Sequence, residues 1–214
     1  MNKSLHGLYV ITDQQLMPTE RFCSMAEAAL SAGARLIQYR DKSRDADRRL
    51  TQARELRRLC NQYSALLIIN DDIELTLKSE ADGIHIGKDD TSLEEARSQL
   101  GDEHIIGVSC YNDNTLAQQA IETGADYIAF GSFFGSQIKP DAPRASTQLI
   151  TQIKSTHNTP VCCIGGINRE NCGELISRGA DMLAVISDVF AVADEDEIKR
   201  RCEEFVQQFA PRSA

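Results

Sequence analysis

Three observations predict an α/β fold of one domain, a (β/α)8 barrel of the TIM type. Eight short apolar runs alternate with segments of helical spacing along the whole chain. Similar small-residue turns recur just ahead of several of those runs. The 214 residues, shared among eight strands, leave about 27 for each strand and its return, near the lower end for such a barrel. A doubly wound open sheet would alternate in the same way, but no Gly-x-Gly-x-x-Gly turn follows the first run. One domain is expected over residues 1–214, with a core of about 7–209 and loose ends.

The candidate strands are Leu8 to Ile11, Arg35 to Tyr39, Leu66 to Ile69, Gly83 to Ile86, Ile105 to Ser109, Tyr127 to Gly131, Val161 to Ile164 and Met182 to Ile186. After the first, Pro18 suits the opening turn of a helix. After the second, Leu50, Ala53, Leu56, Cys60 and Tyr63 form one apolar stripe, with Arg44, Arg48, Arg49, Arg54, Arg57 and Arg58 mostly elsewhere on that helix. Ser92 and Glu95 read as a capping box after the fourth. Ser31-Ala-Gly-Ala34, Ser79-Glu-Ala-Asp82, Thr123-Gly-Ala-Asp126 and Arg178-Gly-Ala-Asp181 each precede a strand, where glycine lets a helix end turn left-handed.

Composition excludes several partners. A net charge of −9 and a pI near 5.0 leave no broad basic field for nucleic acid or an anionic membrane, so any anion must be bound locally. No apolar segment approaches the roughly 20 residues that span a bilayer, and the N-terminus lacks the pattern of a secretory signal. Seven cysteines, odd in number and irregular in spacing, suit reduced thiols better than a disulfide framework; a cytoplasmic protein is expected. In a strand, Cys162 and Cys163 point to opposite faces.

In such barrels chemistry sits at the C-terminal ends of the strands. The third apolar run stops at Asn70 and Asp71, and the fourth at Asp89 and Asp90, so carboxylates from neighbouring strands face one space. Turn and cap chemistry explains each of them singly, but together they repel unless a cation sits between them. Hard oxygen donors with no cysteine or histidine nearby suit Mg2+. Gln38, Arg40 and Lys42 share one face of an extended chain, and an anion there is more plausible than a purely structural role. Ser109 ends the fifth strand, and the long segment Ser132 to Ala145, with Lys139, has the length of a lid. Gly165-Gly166-Ile167 and Ser187 end the last two strands, where backbone N–H groups commonly hold phosphate. Two anion sites are therefore expected: Arg40, Lys42, Lys139 and magnesium at one, Gly166 and Ser187 at the other.

Of four histidines only His85 falls within a strand, and a structural role for it is about twice as plausible as a catalytic one. No nucleophile elbow, Cys–His pair or Walker loop is present. Departure of a diphosphate fits this inventory, because its barrier is charge on the leaving oxygens.

With these residues assembled, the chain resembles the thiamine phosphate synthase and thiazole tautomerase family. The markers are Gln38-Tyr-Arg-Asp-Lys42, Ile69-Asn-Asp71, Ala81-Asp-Gly-Ile-His-Ile-Gly-Lys-Asp-Asp90, Ile106-Gly-Val-Ser109, Ala125-Asp-Tyr-Ile-Ala-Phe-Gly131, Lys139 and Ile164-Gly-Gly-Ile167. The resemblance implies a transferase that joins hydroxymethylpyrimidine diphosphate to hydroxyethylthiazole phosphate and releases diphosphate. It implies that Gln38, Arg40, Lys42, Asn70, Ser109 and Lys139 hold the pyrimidine diphosphate, with Arg40, Lys42, Ser109 and Lys139 as the catalytic set. Asp71 and Asp90 would bind Mg2+, and Ser136, Gly166, Ile186 and Ser187 would line the thiazole phosphate site. The family's lid carries two threonines around one residue before its lysine; here the four positions read Ser136, Gln137, Ile138 and Lys139, and Ile138 donates no hydrogen bond. Partners are then two small molecules, with no nucleic acid or membrane, and homodimerisation is left open. A tautomerase paralogue would need no metal or leaving-group machinery, and a non-catalytic regulator binding a thiamine-related phosphate would show no turnover.

Overall fold

The computed structural model describes residues 4–135 and 144–210. Eight parallel strands close into a barrel in sequence order: β1 (Gly7–Ile11), β2 (Leu36–Tyr39), β3 (Leu66–Asn70), β4 (Gly83–Ile86), β5 (Ile105–Tyr111), β6 (Tyr127–Phe130), β7 (Val161–Ile164) and β8 (Met182–Val185). Closure is made by β1, which pairs with both β2 and β8. Between the strands run α1 (Phe22–Ser31), α2 (Ala46–Tyr63), α3 (Ile73–Lys78), α4 (Leu93–Leu100), α5 (Asn114–Glu122), α6 (Gln148–Lys154) and α7 (Cys172–Ser177). The short α8 (Ser187–Phe190) and the longer α9 (Glu195–Gln208) follow β8. Among the described residues no helix is long and apolar enough to cross a membrane.

The two-residue period of a strand splits the apolar side chains into two cores. Leu8, Val10, Ile37, Leu67, Ile69, Ile84, Ile106, Ile128 and Cys163 face outward and pack under the helices. Tyr9, Ile11, Leu36, Leu66, Ile68, Ile105, Tyr127, Ala129, Cys162, Met182 and Ala184 fill the barrel itself. The adjacent cysteines thus separate as expected, and all seven cysteines are free thiols.

Several elements differ from expectation at their ends. β5 runs on to Tyr111 because the register shifts between Ser109 and Tyr111, a bulge that gives Ser109 its own direction at the rim. Pro18 lies in turns ahead of α1, where its carbonyl accepts from Arg21 N, rather than in the helix's first turn. Arg44 precedes α2, whose N-cap is Asp45, and that helix closes on Ser64 in the left-handed region. Ser92 accepts from Glu95 N at 3.2 Å, as the capping pair requires. Glu80 takes the left-handed position (φ 55°) that glycine takes in the three sister turns.

Those turns do more than reverse the chain. Asp82, Asp126 and Asp181 sit where each turn enters the barrel's N-terminal end. Their carboxylates accept the backbone N–H of Leu67 (2.9 Å), Ile106 (2.8 Å) and Val161 (2.8 Å), near the start of the preceding strand. Each is also paired with a cation from the helix that leads into that preceding strand: Arg57 of α2, Arg97 of α4 and Lys154 of α6. The device recurs at these three turns and ties a helix, the strand that follows it and the entry to the next strand together at one point.

Candidate functional site

At the opposite end, the strand tips converge on a polar mouth. β3 ends in Asn70, and the next residue, Asp71, adopts a left-handed backbone (φ 63°) that turns its carboxylate over the rim. Asn70 Nδ2 donates to Asp71 Oδ1 at 2.6 Å, and Lys42, reaching across from the β2 loop, donates to Oδ2. Asp72, one residue on, goes elsewhere: it caps α3 by accepting from Leu75 N at 2.8 Å and pairs with Arg49 at 2.8 Å. From the β4 loop, the exposed Asp90 accepts from Gly87 N at 2.7 Å and faces Asp71; Asp89 beside it is exposed as well. Burial raises the Asp71 carboxyl above its ordinary value, and the Asp90 carboxylate raises it further, against the lowering effect of Lys42. Two acids forced together in this way form a hard-oxygen donor set. Mg2+ commonly takes one or two protein carboxylates and completes its shell with water and phosphate oxygens, so the residues fit that ion.

Below the rim, the barrel interior is crossed by a line of polar side chains. Gln38 Nε2 donates to the Tyr9 hydroxyl at 2.8 Å. The Tyr9 and Tyr127 hydroxyls are 3.0 Å apart. His85 joins Tyr127 through Nδ1 at 2.9 Å and Ser109 through Nε2 at 2.8 Å. Burial pushes His85 down to about 4 and holds both tyrosines above their ordinary values, so the interior carries no charge at neutral pH. Room for the Tyr127 ring comes from Gly107, its register partner on β5: a methyl group there would lie 2.0 Å from a ring carbon.

On the far side of the mouth, Gly166 has a left-handed backbone (φ 65°), and a Cβ there would meet the carbonyl oxygen of Gly135 at 2.4 Å. Its own carbonyl accepts from Asn171 Nδ2 at 3.0 Å. Ile186 leads directly into α8, whose first residue, Ser187, is exposed. This loop is anchored from behind, because Asp188 pairs with Arg169 at 3.1 Å and its carbonyl accepts from Arg201 at 2.8 Å.

A family profile described as thiamine monophosphate synthase matches residues 8–189. The chain is 50% identical over 195 residues to a thiamine-phosphate synthase of Alcanivorax borkumensis, covering 91% of this chain and 90% of that protein. It is 47% identical over 204 residues to the thiamine-phosphate synthase of Marinobacter nauticus, covering 95% and 91%. The chain belongs to the thiamine monophosphate synthase family. A solved structure, the thiamine phosphate pyrophosphorylase of Pyrococcus furiosus, superposes with a TM-score of 0.86 at 32% identity, with 96% of each chain covered.

For this member of the thiamine monophosphate synthase family, the fold brings Gln38, Arg40, Lys42, Asn70, Asp71, Asp90 and Ser109 to the mouth from strands β2 to β5. Gln38 is buried inside the barrel, Arg40 half-buried at its edge and Lys42 exposed above it. Gly166, Ile186 and Ser187 follow β7 and β8 on the same rim. Ser136, Ile138 and Lys139 lie outside the described residues. Sequence reasoning missed Tyr9 and Tyr127, which read as ordinary apolar strand residues; the available signal was a hydroxyl at an inward position of a two-residue period. It also missed Tyr111, whose hydroxyl accepts from Lys88 N at 3.2 Å and supports the loop bearing Asp90.

Proposed function

We propose that this chain is a magnesium-dependent transferase that condenses hydroxymethylpyrimidine diphosphate with hydroxyethylthiazole phosphate, yielding thiamine phosphate and diphosphate. The observation that carries this reading is the meeting of Asp71, Asp90, Asn70 and Lys42 at one rim, directly above an uncharged interior that ends in Gln38 and Ser109. Two acids alone would repel a diphosphate; two acids with a cation, together with the charges of Lys42 and Arg40, attract one. Mg2+ held by Asp71 and Asp90 would offset negative charge on the diphosphate oxygens.

The chain's own residues then divide the work. Lys42, Arg40 and Lys139 stabilise the leaving diphosphate as the methylene C–O bond breaks and its electron pair goes to oxygen. Gln38 and the neutral line behind it seat the pyrimidine, and a neutral His85 places no positive charge beside a carbon that is becoming cationic. The thiazole, its phosphate held at Gly166, Ile186 and Ser187, supplies the nitrogen lone pair that forms the new C–N bond. No side chain has to move a proton in that step. A tautomerase would have no use for the paired acids and the cations opposite them. We place the reaction in the cytoplasm, a reading supported by seven free thiols. Purified protein given both substrates and Mg2+ should release diphosphate stoichiometrically with thiamine phosphate and stop on chelation. No release with both substrates present overturns the reading.

A further inference from the structure

Five side chains from five strands form one unbranched line across the barrel, and the order of its members sets a direction. Gln38 Nε2 carries protons and accepts nothing, so the Tyr9 oxygen is the acceptor of that 2.8 Å bond. The single Tyr9 proton therefore goes to the Tyr127 oxygen, 3.0 Å away. Tyr127's proton goes in turn to His85 Nδ1 at 2.9 Å. A neutral imidazole has one N–H and one lone pair, so the ring proton is left on Nε2, directed at Ser109 Oγ 2.8 Å away. The ring lies between two hydroxyls inside the barrel, and a neutral ring meets both with its one proton and one lone pair. Ser109 accepts from His85 and has its own O–H free toward the mouth.

We propose that Tyr9, Tyr127 and His85 are positioning residues that pass the orientation of the Gln38 amide to Ser109, presenting its hydroxyl as a donor to an anionic oxygen. The proposal rests on the synthase reading for what Ser109 meets, and not for the line itself. Turning the amide over would reverse every bond: Tyr9 would donate to Gln38, His85 would carry its proton on Nδ1, and Ser109 would donate inward and offer the mouth only lone pairs. An acceptor there repels a diphosphate oxygen. The amide that seats one part of the substrate and the hydroxyl that serves another are thus locked to one sense, although they do not touch. Packing holds the line in place, with the His85 and Tyr127 rings stacked at 5.6 Å and 21° and Gly107 leaving space for Tyr127.

The test is the protonation of His85, read from its two ring nitrogens by 15N NMR in the ligand-free protein at neutral pH. Wild type should show one tautomer, with the proton on Nε2. Gln38→Met, which removes the amide, and Tyr9→Phe, which removes the first hydroxyl, should each bring the Nδ1–H form to a comparable population, although neither residue contacts His85. A wild-type ring protonated on Nδ1, or an even mixture, overturns the proposal, as does an unchanged tautomer in both variants. Should one variant fail to fold, the other carries the comparison. Tyr9→Phe should also lower kcat by about tenfold while leaving the KM for thiazole phosphate unchanged; equal losses in both would mark a merely structural role. Wild-type protein with the Nε2–H tautomer but no diphosphate release would overturn the synthase reading and leave the line standing.

Discussion

The two ends of this barrel use aspartate in opposite ways. At the N-terminal end, Asp82, Asp126 and Asp181 each have a backbone N–H and a paired cation, and each joins a helix, the strand after it and the entry to the next strand. At the C-terminal end, Asp71 and Asp90 face each other, and Asp71 is raised by burial and by its neighbour. The difference teaches that a carboxylate's role is set by what the fold places opposite it. Acids tied to a strand N–H and a helix cation hold the barrel together, whereas Asp71 is turned toward a second carboxylate and held by the rim side chains Lys42 and Asn70.

The largest effect should come from the mouth. Asp71→Asn and Lys42→Ala should each lower kcat by about 100-fold or more, the first by weakening the hold on the Mg2+ proposed there and the second by removing a cation from where the leaving group develops negative charge. Thermal unfolding should barely change, because Lys42 is exposed and the Asp71 site is already in tension. A fully active Asp71→Asn would erase the contrast between the ends. Next, Asp181→Ala should cost about 1 to 3 kcal/mol of stability by stranding the Val161 N–H and Lys154, lowering the melting midpoint by a few degrees. Its kcat should match wild type; an equal loss of activity would mean that the two ends are not separable.

Smaller effects sharpen the comparison. Ile138→Thr should leave kcat similar and lower the KM for thiazole phosphate by about tenfold, the value of one hydrogen bond to a charged group. An unchanged KM would remove that hydroxyl from the site. The smallest effect concerns the helical shell, where Arg21 and Ser24 of the α1 region hold Glu195, at the start of α9, down to about 2. A carboxyl depressed in the folded state contributes stability above its unfolded value of about 4.3. That contribution is lost as pH falls from there toward 2. Glu195→Gln should therefore flatten the acid limb of the stability curve over that window and leave neutral-pH activity untouched.

Reading the chain alone located all eight strands to within two residues at every end, because apolar period and turn glycine are local signals. It also placed Gln38, Asn70, Asp71, Asp90, Ser109, Gly166 and Ser187 at strand tips, which in a barrel of this kind is the same as placing them around one mouth. The Asp of the recurring turns was visible as a letter, but its purpose was not. Only the fold shows that Asp82 meets the start of the strand before it and Arg57 of the helix that leads into that strand.

Sequence by itself determined the alternation of strand and helix, the inward and outward faces of each strand, and the kinds of group available at the rim. These follow from covalent geometry and side-chain spacing within a few residues. Tertiary structure decided which of two adjacent acids faces the site, through the left-handed turn at Asp71 that leaves Asp72 to cap α3. It also decided that Tyr9 and Tyr127, 118 positions apart, share a hydrogen bond. Such meetings depend on closure and register around the whole barrel, a sum over every strand pair that no local stretch contains.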